Sequence, residues 1–167
     1  MINLKIKKLS KTAIIPTKAY DTDACFDIYA NLQGEICYDW VYNRKLGQTE
    51  SIQYDNAIKI EPGESYTIDT GFCTEIPEGY FAPVFCRSGM GIKRGLRLAN
   101  SVGIIDSSYR GEWKVCLHND SDKTQIIFHG DRIAQFTLLP VFNINIEEVE
   151  YVDETERGEG GFGSSGW

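Results

Sequence analysis

The residues best equipped for chemistry lie in one stretch, Leu98-Ala99-Asn100-Ser101-Val102-Gly103-Ile104-Ile105-Asp106-Ser107-Ser108-Tyr109-Arg110-Gly111-Glu112. Apolar strand-like pieces, Leu96 to Val102 and Trp113 to Leu117, flank it, so it reads as a hairpin with polar groups at its bend. Asp106 follows the β-branched pair Ile104-Ile105, where a buried strand emerges, and partial burial there would tune a carboxylate as a base. Tyr109, three residues on, can lay its ring against whatever Asp106 faces. Taken alone, Asp106-Ser107-Ser108 reads better as a plain turn, because Asp and Ser bond their own backbone in turns.

Short β-rich runs recur along the rest of the chain. Ile2, Leu4 and Ile6 share one face of an opening strand whose other face carries Asn3, Lys5 and Lys7, an edge pattern protected by lysine. Residues 12–22 form a loop around Pro16. Phe26-Asp27-Ile28-Tyr29-Ala30 resumes a strand and sets Asp27 between apolar neighbours, either as a partner for an arginine or as a group in the outer sphere of a metal. In 33–57, Ile36, Tyr38, Trp40 and Tyr42 alternate, Lys45-Leu46-Gly47-Gln48 turns, and Ile52 and Tyr54 return, the pattern of a β-hairpin with an aromatic face. That face either packs on its own assembly or binds another macromolecule.

Further strands are expected over Ser65 to Thr74, Tyr80 to Cys86, Trp113 to Leu117, Thr124 to Phe128, Arg132 to Leu139 and Ile144 to Val152. One helix candidate, short, follows Arg87-Ser88-Gly89. Such spacing argues an all-β sandwich or jelly roll rather than a βαβ fold. We read 1–152 as one β domain and 153–167 as a Gly/Ser-rich tail that by composition is a flexible terminus.

Composition bounds the chemistry. A chain of 167 residues with 42% hydrophobic and 25% charged residues is one soluble globular domain. A net charge of −7 argues against polymeric nucleic acid as a partner, though converging arginines and glycine amides can still hold a triphosphate with Mg²⁺. The alternating N-terminus lacks the apolar run of a signal peptide or membrane span, so we expect a soluble, cytoplasmic protein with no membrane partner. Cys25, Cys37, Cys73, Cys86 and Cys116 form no C-x-x-C pair and are read as reduced, mostly buried thiols. His118 and His129 are not spaced for a metal.

The segment Val102-Gly103-Ile104-Ile105-Asp106-Ser107-Ser108-Tyr109-Arg110-Gly111 resembles the third signature motif of the homotrimeric dUTPases. The other four appear in that family's order: Ala24-Cys25-Phe26-Asp27-Ile28, Arg87-Ser88-Gly89-Met90-Gly91, Gly130-Asp131-Arg132-Ile133-Ala134-Gln135, and Arg157-Gly158-Glu159-Gly160-Gly161-Phe162-Gly163-Ser164-Ser165-Gly166. Five ordered matches over nearly the whole chain carry far more weight than any one. Two features depart from the family: Cys25 stands where glycine is usual, and 33–57 is inserted where the family chain runs almost directly into the turn at Lys59-Ile60-Glu61-Pro62-Gly63-Glu64.

The resemblance implies a distorted jelly roll (β-clip) assembled as a homotrimer with shared sites, and hydrolysis of dUTP to dUMP and pyrophosphate with Mg²⁺. It implies Asp106 as general base, Asn100 and Gly103 reading uracil, and Tyr109 packing on the deoxyribose. Arg87, Ser88, Gly89 and Gln135 would hold phosphates. Arg157, Phe162, Gly163 and Ser164 would belong to a tail closing over the nucleotide. Asp27 and Arg132 would support the site, with the metal held by phosphates and water rather than directly by side chains. Arg87 and Arg132 could instead be structural, paired with Asp27 or Asp131. The related dCTP deaminases use a glutamate in the strand after the hairpin; Trp113-Lys114-Val115-Cys116-Leu117 has none, so deamination is not expected. A protein partner captured through 33–57 is the remaining partner expectation.

Overall fold

The computed structural model describes residues 2–162 and 164. The polypeptide is nearly all β, a distorted jelly roll whose strands are β1 Lys5–Lys8, β2 Phe26–Tyr29, β3 Ile36–Asn43, β4 Gln48–Asp55, β5 Ala57–Ile60, β6 Ser65–Asp69 and β7 Phe72–Glu75. They continue as β8 Tyr80–Phe85, β9 Leu96–Leu98, β10 Gly103–Ile105, β11 Lys114–Asn119, β12 Gln125–Phe128, β13 Arg132–Phe136 and β14 Leu139–Pro140. The expected short helix is one π-helical turn, Gly89–Lys93.

Two sheets position the chemistry. One runs in the order β10-β8-β13-β2 with β14 added to β8, the other β6-β11-β9. Between them the aromatic centre is built from Phe72, Trp113 and Phe136, with Trp113 centroids 5.4 Å from Phe72 and 4.9 Å from Phe136. Burial of each such side chain contributes about 1.5–3 kcal/mol. Inside this apolar packing the indole N–H donates to Thr74 Oγ1 at 3.1 Å, so the tryptophan carries no unpaired donor.

Four expectations change. The stretch from 98 to 112 is not a simple hairpin: β9 pairs with β11, but β10 leaves that sheet to pair antiparallel with β8, Gly103 opposite Val84. The switch occurs at Asn100-Ser101, where Ser101 adopts a left-handed φ of 63°. The run 65–74 is two strands because Gly71, at φ 74°, breaks it; a Cβ there would lie 2.7 Å from Ala13 Cβ. Residues 144–152 form no strand: they pair with none of the described strands, and Phe142, Ile144 and Ile146 are almost fully exposed. Of the five cysteines only Cys73 is buried; the others are half-buried, and all five are free.

In 33–57, β3 and β4 pair along their whole length, from Ile36 opposite Asp55 to Asn43 opposite Gln48. Tyr54 meets Phe128 edge-on at 5.9 Å and ties this ribbon to the body, whereas Tyr38, Trp40 and Tyr42 face outward. At the N-terminus, β1 pairs with β7 and Lys5 bridges to Glu75 at 2.7 Å. Among the described residues no helix is long and apolar enough to cross a membrane.

Candidate active site

Three surfaces collect most of the residues singled out above. The first is built on β2, β8 and β13. Asp27, buried within β2, accepts from Arg87 Nε at 2.6 Å through Oδ1 and from Arg132 Nη1 at 3.1 Å through Oδ2. Its backbone N–H is bonded to Thr17 O at 2.7 Å, which fixes the carboxylate. Antiparallel pairing sets Gln135 opposite both Asp27 and Phe85, so the sheet itself brings β2, the end of β8 and β13 together. The two guanidiniums sharing this carboxylate line a cavity of ≈420 Å³ with Asp23, Ala24, Cys25 and Gln135, so two arginines there face two aspartates. The guanidinium forks in this lining suit phosphate oxygens.

The two open questions about these arginines therefore resolve toward Asp27. Asp131 instead takes Arg94 at 3.7 Å and the Phe128 N–H at 3.0 Å. Gln135 donates to Cys86 O at 3.1 Å, which steadies the chain just before Arg87 and leaves its second amide hydrogen for another acceptor. Ser88 begins the π-helical turn, is exposed, and makes no side-chain capping bond, so its hydroxyl projects free. Burial pushes the Cys25 thiol up, chiefly by desolvation, so the group replacing the usual glycine is a protonated thiol rather than a nucleophile.

The second surface is a cleft of ≈200 Å³ lined by Ile104, Ile105, Asp106, Tyr109, Glu112 and Lys114. Asp106 is exposed here, not half-buried as the Ile104-Ile105 pair suggests, because Ile104 itself turns outward and is 56% exposed. Asp106 O accepts the Tyr109 N–H at 3.1 Å, a turn that folds Tyr109 back toward the carboxylate. The phenol lies across Gly111, where a Cβ would sit 2.4 Å from its oxygen, and donates to Glu112 O at 3.0 Å. Gly111 is thus required for the ring's position.

The third surface, ≈150 Å³, is lined by Asn100, Gly103, Leu98, Val84, Val115 and Cys116 among others, and shares Ile104, Ile105 and Lys114 with the second. Gly103 brings β10 close to β8: a Cβ there would meet Val84 Cβ at 3.2 Å. Backbone amide and carbonyl groups at the β10 edge, with the exposed Asn100 amide, can match a polar heterocycle edge.

The tail stands apart. Arg157 donates to Gly160 O at 2.8 Å, and Thr155, Glu156, Arg157, Gly160 and Ser164 line a cavity of their own. Phe162 is fully exposed. Gly163 lies outside the described residues. The structure therefore joins Asp27, Arg87, Arg132 and Gln135, and joins Asp106 with Tyr109, but it does not bring Arg157, Phe162 or Ser164 to either group. Glu112, to which the sequence assigns no role, belongs to the Asp106 cleft.

Among the described residues no group of three His, Cys, Asp or Glu side chains could hold a metal ion. Asp27 is occupied on both oxygens by arginine. This donor set fits a metal carried by a polyphosphate and water, not one caged by the protein.

A family model described as dUTPase matches residues 51–166. The chain is 38% identical over 167 residues to a deoxyuridine 5'-triphosphate nucleotidohydrolase of Clostridioides difficile, with 100% of both chains covered. It is 42% identical over 170 residues to the protein of the same name from Wolbachia pipientis subsp. Culex pipiens (strain wPip), covering 99% of this chain and 96% of that one. A mutant dUTPase of Staphylococcus bacteriophage 80alpha, solved with dUpNHpp, superposes with a TM-score of 0.77 at 27% identity, covering 99% of each chain.

Proposed function

This chain belongs to the dUTPase family, and from that premise we infer that it hydrolyses dUTP to dUMP and pyrophosphate. The observation that supports the reading best is an arginine pair converging on one buried carboxylate together with, on a second surface, an exposed carboxylate. Arg87 and Arg132 offer guanidinium forks for phosphates, while Asp106 offers its carboxylate beside an aromatic ring.

In this reading Asp106 takes a proton from the water that attacks the α-phosphorus, a contribution of roughly 10²–10⁴-fold. The new P–O bond forms as the α–β bridge breaks, and pyrophosphate leaves with the electron pair. Arg87, Ser88, Gly89 and Gln135 hold the phosphate oxygens in line, and Arg132 keeps Asp27 and Arg87 in register. Mg²⁺ bound to the triphosphate supplies charge neutralisation. Asn100 and Gly103 read the uracil edge, and Tyr109 packs on the deoxyribose where a 2′-hydroxyl would clash. Arg157, Phe162, Gly163 and Ser164 close over the nucleotide from the tail.

We propose a homotrimer for two reasons. The tail does not reach the Asp106 cleft within one chain, and residues 141–152 expose Phe142, Ile144 and Ile146 on an arm that carries Glu147, Glu148 and Glu150. The free edge of β1, with Lys5, Lys7 and Lys8, gives such an acidic arm of a second copy a complementary strand to pair with. Sedimentation should give three times the 18.9 kDa chain mass, and Ile144→Asp with Ile146→Asp should yield monomers without turnover. A fully active monomer would contradict shared sites.

The reaction is tested by pyrophosphate release from dUTP, dCTP, dTTP and UTP in parallel, with Mg²⁺ and with chelator. Strong preference for dUTP that collapses with chelator is the expected result; equal rates on dUTP and UTP would refute the assigned sugar role, and equal rates on dUTP and dCTP the assigned base role.

A further inference from the structure

We infer that Glu112 is a positioning residue for Tyr109, fixing the phenol through its own main-chain carbonyl and thereby setting discrimination against a 2′-hydroxyl. The inference rests on the reading of Tyr109 as the residue that packs on the deoxyribose. Among the described residues the Tyr109 hydroxyl donates to one partner, Glu112 O at 3.0 Å, so the ring is only as well placed as the Glu112 peptide.

That peptide is held from both sides. The Glu112 carboxylate accepts the Gly71 N–H at 2.7 Å, a charge-assisted bond to a main-chain donor. On the other side the Trp113 N–H donates to Phe72 O at 3.0 Å and Trp113 O accepts Thr70 Oγ1 at 2.7 Å, with the indole buried.

The Gly71 end of this clamp is rigid for its own reasons. Its φ of 74° and the 2.7 Å approach of Ala13 exclude any side chain, and its carbonyl accepts the N–H groups of Leu9 and Ser10 at 2.7 and 3.2 Å. The direction of the Gly71 N–H is therefore dictated by the β6–β7 turn. Through Glu112 that turn dictates where the sugar-facing ring lies.

The test measures kcat/KM for dUTP and for UTP in the wild type and in Tyr109→Phe, Glu112→Ala, Glu112→Gln and the Tyr109→Phe/Glu112→Ala pair. Losing one hydrogen bond of this kind should lower the dUTP/UTP ratio about three- to tenfold in Tyr109→Phe and in Glu112→Ala. Glutamine, whose side-chain carbonyl accepts the same N–H, should restore the ratio, and the pair should be no worse than either single change, because both remove one linkage. If Tyr109→Phe lowers the ratio while Glu112→Ala leaves it intact or slows both substrates equally, Glu112 is merely structural and the inference fails with the Tyr109 reading standing. If Tyr109→Phe leaves the ratio unchanged, the Tyr109 reading fails and the inference falls with it.

Discussion

Replacing Asp106 by asparagine should cut dUTP turnover by roughly 10²–10⁴-fold while nucleotide affinity stays near that of the wild type. Asparagine keeps the shape, the turn and the Tyr109 N–H bond to the residue 106 carbonyl, and it discards only basicity. Because Asp106 is exposed in the single chain and touches no buried group, the substitution should also leave thermal stability within about 0.5 kcal/mol. The combination distinguishes chemistry from structure. Single-turnover rates with dUTP, alongside binding of a non-hydrolysable analogue, supply both numbers. Near-normal turnover would remove Asp106 from the mechanism, and loss of binding would reassign it to substrate capture.

The second large effect concerns Asp27. Changing it to asparagine leaves Arg87 and Arg132 facing a neutral amide, two guanidiniums around a group that accepts on only one side. Breaking a buried ion pair by removing one partner costs about 3–5 kcal/mol, and we expect the low end, about 3 kcal/mol, because Arg132 is half exposed. For a chain of this length that corresponds to a Tm lower by roughly 6–12 °C. Activity should fall as well, since Arg87 loses the anchor that aims it at phosphate. Raising Mg²⁺ separates the two sequence-based readings of Asp27: an arginine anchor is not rescued by excess metal, whereas a group in the metal's outer sphere is. An unchanged Tm together with recovery at high Mg²⁺ would favour the latter.

How far the sequence foretold this site depends on what each residue needed. Asp27, Arg87 and Arg132 were legible as a set because a carboxylate flanked by Phe26 and Ile28 in a strand demands a cationic partner. That both arginines go to Asp27 rather than to Asp131 was not, since for Arg132 this is decided by β13 pairing with β2, a contact between segments about a hundred residues apart in sequence. The exposure of Asp106 was misread for a related reason. Ile104-Ile105 looks buried by composition, but β10 crosses to β8 at the edge of its sheet, which turns Ile104 outward.

The strand expected at Ile144 to Val152 shows another boundary. Its apolar alternation is real, but a strand exists only where an edge accepts it, and the segment pairs with no described strand of its own chain. Thr70-Gly71 dividing β6 from β7 was signalled by the glycine alone. The part played by Glu112 had no sequence pattern to announce it, because it depends on a main-chain N–H that Gly71 presents from another turn.

The most direct test of the central claim is hydrolysis of dUTP in ¹⁸O-labelled water, with the products resolved by mass. Attack on the α-phosphorus by water activated at Asp106 places the label in dUMP and leaves pyrophosphate unlabelled. Label in pyrophosphate, or release of inorganic phosphate in place of pyrophosphate, would contradict the account.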